Sequence, residues 1–332
     1  MRRRSLLAAI PMLPLLSGAA RATGLRWGAN LVATGSAPYG SPGCRMVLGE
    51  MAEAGLSEVA PVVFRWQAGP DAEVPEAGSL DLDGLAAVLR QARAEGLAVW
   101  PKVHLWILGH WAGAARPADP ERWLRAWTDL LLPVADVAAA EGAAGMVVGT
   151  ELVGLDAAEG WPDLAARVRT HFTGPLAYAA HGASGIGRFR GWDAMDEVSV
   201  SLWPPLGDDP APAVLRRGMV AALDAVGAAA PMGRRPWISE VGMRSKHGAQ
   251  AEPWRSPEER SGSPDEALQA RALALWNVAA REAGIARVWW WCLYTDPTSG
   301  GVRDTDFTPQ GKLAWRTLET AARGHRPDLG GR

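Results

Sequence analysis

Eight short apolar runs, separated by segments of helical periodicity, constrain this fold more than any other feature. They lie at 25–32 (LRWGANLV), 58–66 (EVAPVVFRW), 97–106 (LAVWPKVHLW) and 144–151 (AGMVVGTE). Four more follow at 174–181 (GPLAYAAH), 196–203 (DEVSVSLW), 235–242 (RPWISEVG) and 286–294 (ARVWWWCLY). Each is nearly continuously hydrophobic rather than alternating, as strands are when a parallel sheet is covered on both faces. Between them, Leu82, Leu85, Leu89 and Ala92 recur at helical spacing ahead of Gly96, as do Trp123, Trp127, Leu130 and Leu131. Ser263-Pro264-Asp265-Glu266 predicts another helix start, with Ser263 as N-cap, Pro264 in the first turn and Glu266 closing a capping box. Gly284 stops that helix, and Thr308-Pro309 is read as opening the last one.

Eight βα units in one chain of 332 residues predict a single-domain α/β fold, the (β/α)8 TIM barrel. A doubly wound open sheet is the alternative, but the first βα turn lacks the glycine-rich phosphate fingerprint. Residues 1–22 stand apart from this pattern. Arg2, Arg3 and Arg4 precede the apolar stretch 5–16, and Ala20-Arg21-Ala22 forms a small-x-small cleavage site. These are the marks of an export signal, by the general or the twin-arginine route, with 23–332 as the catalytic domain. The apolar stretch is shorter than the roughly 20 residues that a spanning helix needs. The expected location is therefore periplasmic or secreted, with no membrane span after cleavage.

Cleavage would remove four arginines and leave 30 basic against 36 acidic residues. No basic block suggests a nucleic-acid partner. Cys44 and Cys292 are read as buried thiols, with pairing in an oxidising compartment as the alternative. Seventeen tryptophans against three tyrosines and four phenylalanines leave two readings open, sugar platforms or compositional bias, and position must decide between them.

The fourth and seventh runs end on acids, Glu151 in "VGTEL" and Glu240 in "WISEVGMRS". A barrel carries its chemistry at the C-terminal ends of its strands, so both acids should face one mouth. An ionised glutamate buried there needs a partner or a task. A structural role would pair them with Arg65, Lys102 or Arg244. The chemical role is glycosidic cleavage, which needs one protonated carboxyl at the leaving oxygen and one carboxylate at the anomeric carbon.

Together with "PKVHLW", these stretches resemble the retaining glycoside hydrolases of clan A, and family 113 above all, over most of the chain from "GANLVA" to "FTPQGKLAW". Members of that family are (β/α)8 enzymes, and those characterised act on β-mannans. The resemblance implies Glu151 as acid/base and Glu240 as nucleophile. The usual clan pattern has Asn before the acid/base; Thr150 stands here, which leaves open how the sugar 2-hydroxyl is held.

Lys102 and His104 alternate along the third run and should face the interior together, to bind substrate hydroxyls or the catalytic acids. In the resembling enzymes an aromatic after the sixth strand lies near the nucleophile, which makes Trp203 a candidate. Tyr178, Asn30 and Arg65 are further substrate-binding candidates, with a core role for Tyr178 equally open and Trp66 beside Arg65. Alternation puts Trp289 and Trp291 on one side and Trp290 on the other, and Trp291 is the expected sugar platform. The loop 294–307 carries Asp296, Asp304 and Asp306 without the spacing of a calcium loop, and reads as a polar lid. His104 and His110 form no ligand pattern, so neither metal nor other cofactor is expected. The expected partner is a carbohydrate substrate. Two other functions compete: a carbohydrate-binding barrel without turnover, and an aldolase forming a Schiff base on Lys102.

Overall fold

The computed structural model describes residues 24–76, 80–255 and 262–324. The expected export signal, residues 1–22, lies outside the described residues. Nine strand segments form the sheet: β1 (Arg26–Val32), β2 (Glu58–Gln67), β3 (Ala98–Val99), β4 (Lys102–Ile107), β5 (Met146–Thr150), β6 (Leu176–His181), β7 (Glu197–Ser201), β8 (Trp237–Val241) and β9 (Arg287–Tyr294). β3 and β4 belong to one run, interrupted at Trp100-Pro101, and both pair with β2. The strands follow one another around the sheet in parallel, and β1 pairs with both β2 and β9, so the barrel closes with eight staves.

Helices fill every crossover: α1 (Pro42–Ala54), α2 (Leu82–Ala94), α3 (Pro120–Ala140), α4 (Trp161–Arg169), α5 (Gly182–Arg188), α6 (Pro212–Ala229), α7 (Glu266–Glu282) and α8 (Leu313–Arg323). Short polar side chains start several of them. Ser41, Asp81 and Asp119 accept from the backbone N–H three residues on, satisfying donors that a helix start leaves free. The expected cap at Ser263 is replaced by Asp265, whose carboxylate accepts from Leu268 N–H at 2.9 Å. Glu266 is then the first helical residue, and it accepts from Leu313 N–H instead of closing a capping box. The last helix begins at Leu313 rather than at Thr308-Pro309. Thr308 donates to Gln310, and Gln310 caps the end of β9 by accepting from Tyr294 N–H at 2.8 Å. That stretch closes the end of a stave, and the helix can start only after it.

Three tryptophans fill the lower barrel interior. Trp100, Trp237 and Trp289 pack edge to face, with centroids 4.5–6.1 Å apart, against Ala60, Val147, Ala177 and Ala179. Small neighbours make this possible: a Cβ on Gly28 would lie 2.6 Å from the Trp289 ring. Trp290 faces the helix layer, where its indole N–H donates to Phe307 O, so the alternation expected for Trp289–Trp291 holds. Most of the large apolar core lies between the barrel wall and the helices. There Trp123 and Trp127 stack at 5.2 Å.

Candidate active site

Plain strand alternation does not deliver the site; three bulges do. Trp237 fills the barrel interior, so strict alternation along β8 would turn Glu240 outward. One step on β7, Val200 to Ser201, is matched by two on β8, Ile238 to Glu240. The β9 side agrees, with Val288 to Trp290 set against Ile238 to Val241. The extra residue resets the phase and turns Glu240 inward. An extra residue also precedes Glu151, where Val147 to Thr150 faces Ala177 to Ala179. A third lies at Trp291-Cys292, where Ala29 to Leu31 faces Trp290 to Leu293. Each bulge sits beside one of the expected site residues.

Glu240 is 2% exposed and fully engaged. One carboxylate oxygen takes the Lys102 ammonium and lies 3.7 Å from His104 Nε2. The other accepts from Ser201 Oγ at 2.8 Å, and that hydroxyl accepts from Trp203 Nε1 at 2.9 Å. Lys102 also donates to Asn30 Oδ1 and Ser239 O, each at 3.1 Å. Burial pushes the Lys102 ammonium below its usual range; the negative charges of Glu240 and Glu151 work against that shift. With three acceptors and no exposure, this amine is not presented to a carbonyl substrate, which removes the geometry that an aldolase needs.

Glu151 has a left-handed backbone, φ +54°, uncommon for a residue with a side chain. The turn is held from both sides: Glu151 N–H donates to Ala179 O, and Val153 N–H donates to Glu151 O. Its carboxylate lies 2.9 Å from His181 Nδ1. Burial raises the Glu151 carboxyl, but the hydrogen bond and charge of His181, with Ser201 and His104, outweigh it and hold the group below the usual carboxylate range. Burial lowers His181, and Glu151 more than reverses that. Ser201, which donates to Glu240, also favours the Glu151 carboxylate.

The sequence matches glycoside hydrolase family 113 over residues 80–312. The chain belongs to this family. Among solved structures it resembles the family 113 β-mannanase AaManA from Alicyclobacillus acidocaldarius, in complex with ManMIm, at 22% identity and TM-score 0.77 over 90% of this chain and 97% of that one. A family 113 β-1,4-mannanase complex is similar at 19% identity and TM-score 0.77 over 89% and 98%. A GH5_18 protein of Bifidobacterium longum subsp. longum, in complex with Manβ1-4GlcNAc, shares the fold at 15% identity and TM-score 0.59 over 93% and 80%. No curated protein matches the chain significantly.

This family 113 glycoside hydrolase gathers most of its expected site residues at the mouth. Trp291 sits 5.8 Å from the His104 ring and lies under the Lys102 ammonium. Trp203 is half-buried beside Glu240 and packs on Phe307. Asn30 is fully buried; it donates to Ser239 O and Trp290 O and accepts from Lys102, so it positions the lysine from below. Two expectations are corrected. Tyr178 lies on the helix side of β6, between the inward Ala177 and Ala179, and is fully buried on Phe189. Its hydroxyl donates to Asp156 and accepts from Leu152 N–H, bracing the turn that carries Glu151. Arg65 points out of the barrel and donates to Leu130 O on α3. Of the suggested ion-pair partners, Lys102 meets Glu240, whereas Arg65 does not reach the mouth and Arg244 bonds Thr305.

Thr150 is buried, and its hydroxyl turns to Val103 O in the wall. The loop aspartates are spent locally: Asp304 and the Asp306 carbonyl take the Lys312 ammonium, and Asp296 takes Ser36 and Thr298. Among the described residues no group of three or more His, Cys, Asp and Glu could hold a metal ion. No helix of the described residues is long and apolar enough to cross a membrane. Cys44 and Cys292 are both buried and free.

Sequence reasoning missed His181, Ser201 and Trp111. His181 and Ser201 were in view as polar residues closing apolar runs, the same signal that selected the glutamates. Trp111, 47% exposed, covers His181 from the loop after β4 at 4.7 Å. Nothing in its local sequence marks it.

Proposed function

We infer that this enzyme hydrolyses β-linked, mannose-containing glycans with retention of configuration, with Glu240 as nucleophile and Glu151 as acid/base. One observation carries the reading: two strand-end carboxylates, each re-aimed by a bulge, have unlike partners, an ammonium for Glu240 and an imidazole for Glu151. The Lys102 ammonium holds a Glu240 oxygen in place for attack on the anomeric carbon. Glu151, beside the partly exposed His181, has a neighbour that can exchange protons. In the first step the Glu240–C1 bond forms, the bond to the leaving oxygen breaks and Glu151 protonates that oxygen. In the second, Glu151 takes a proton from water as the water oxygen bonds C1 and releases Glu240.

The β-mannanases with the same fold support mannan as the substrate class. The basic and apolar N-terminal segment supports export.

Azide separates the two roles. With an activated β-aryl glycoside, Glu151→Ala should be rescued by azide to the β-glycosyl azide. Glu240→Ala should give the α-azide, because azide enters the face the carboxylate had occupied. Reversed products would exchange the roles. Wild-type activity in both variants on a verified substrate would remove both residues from the chemistry.

A further inference from the structure

The acid role of Glu151 meets a difficulty in the free enzyme, where its immediate surroundings favour the carboxylate. We propose that His181 is the proton-holding and positioning partner of Glu151: the pair keeps one titratable proton, resting on the imidazole until substrate arrives and delivered to the glycosidic oxygen through Glu151. The proposal rests on the acid/base reading of Glu151.

The geometry supports it in three ways. His181 Nδ1 meets Glu151 Oε1 at 2.9 Å, so a hydrogen bond joins the two groups. The His181 side chain is 37% exposed against 11% for Glu151, so the imidazole, not the carboxyl, exchanges protons with bulk water. The Trp111 ring lies over the imidazole at 4.7 Å and packs on Gly113, where an added Cβ would meet it at 2.3 Å. Other charges around the histidine are few. Asp156 acts with Glu151 to favour the imidazolium, and Arg188, which pairs with Asp156 at 3.3 Å, opposes it.

Substrate supplies the trigger. A sugar seated on the mouth removes water from an ion pair, and loss of water disfavours separated charges. The neutral arrangement, imidazole beside carboxylic acid, then prevails with no net change in protons. The proton leaves on the departing hydroxyl in the first step, and the water that attacks in the second returns one to Glu151. The pair ends with the count it began with.

The test is the pH profile of kcat/KM for His181→Asn, whose amide can occupy the Nδ1 position without titrating, with His181→Gln as a second variant. Two substrates are compared: an unactivated β-1,4-mannooligosaccharide and a dinitrophenyl β-glycoside, which needs little protonation to leave. Thermal melting checks that each variant is folded. On the oligosaccharide, both variants should lose the basic limb about one pH unit or more below wild type, because the buried carboxyl then releases its proton without the imidazole's reserve. On the aryl glycoside the basic limb should barely move. An unmoved limb on the oligosaccharide, or an equal loss on both substrates, overturns the proposal in favour of a purely structural histidine. Glu151→Gln is measured alongside. If it too loses both substrates equally, the acid/base reading itself fails; if it spares the aryl glycoside while His181→Asn leaves the profile unmoved, only the histidine proposal fails.

Discussion

The two ends of the barrel hold similar buried charges and use them differently. At the lower end, Glu58 is 1% exposed and takes Arg26 at 3.0 Å, Arg287 at 3.1 Å and Trp289 Nε1 at 2.7 Å. Arg287 also reaches Glu197 at 2.8 Å and lies between the Trp100 and Trp237 rings, 4.7 and 4.4 Å from their centroids. Those charges close on one another, and the strands there keep their alternation. At the upper end Glu240 meets Lys102 and Ser201, Glu151 meets His181, and both stand at bulged strands, one of them with a left-handed backbone. The side chains of the lower charges, Glu58 and Arg287, are 2% and 8% exposed and face each other, whereas the upper pair is re-aimed by bulges and borders His181, whose side chain is 37% exposed. Conserving stability at the N-terminal face and chemistry at the C-terminal face is the general division of labour in such barrels.

The largest effect expected from this contrast is at Glu240. Glu240→Ala should cut turnover by roughly 10⁴-fold or more while the thermal transition survives. Unfolding of that variant would erase the distinction between the two ends. At the lower end, Glu58→Ala strands the buried Trp289 indole N–H and removes one of the two carboxylates around Arg287, which keeps Glu197, and should cost about 1–3 kcal/mol in chemical denaturation. The folded fraction should keep wild-type kcat, and a fall in kcat would show that the ends are coupled.

Asp156 sharpens the comparison, because it lies beneath the upper rim yet belongs to the support. Burial raises its carboxyl to about 6, against the opposing Tyr178 and Arg188 contacts. The folded state therefore holds this proton more tightly than the unfolded chain. The stabilisation is complete below about pH 4 and is lost as pH rises through about 6, on the order of 2–3 kcal/mol. Melting from pH 4 to 7 should show that loss in the wild type and a flatter profile in Asp156→Asn. The smallest effect is expected at Trp66, 46% exposed at the rim beside Trp106. Trp66→Ala should raise KM for long oligosaccharides about two- to tenfold, with no change for a short aryl glycoside.

Much of this was legible beforehand. Six of the eight staves fall within the predicted runs and two, β2 and β4, pass theirs by one residue, to Gln67 and Ile107; the acids at the strand ends were visible as breaks in apolar sequence. The shared face of Lys102 and His104 followed from alternation, and both do meet Glu240. Arg65 was misplaced because a residue near a strand end reads as a site candidate, and of the two roles open to Tyr178 the structure takes the core one; their strands run true, and parity sends both outward. Asp265 displaced Ser263 as the cap because the better-placed side chain was two residues further on.

The sequence by itself determined the order of elements, the closure into a barrel and the end at which chemistry would sit, because those follow from hydrophobic period and chain direction. Tertiary structure alone decided where the side chains aim. An extra residue in β5, β8 or β9 is invisible in a string of apolar letters, since a bulge exists only relative to the neighbouring strand. The meeting of Glu151 with His181 and of Glu240 with Lys102 is likewise a matter of contact across 30 and 138 positions of chain, which no local pattern encodes.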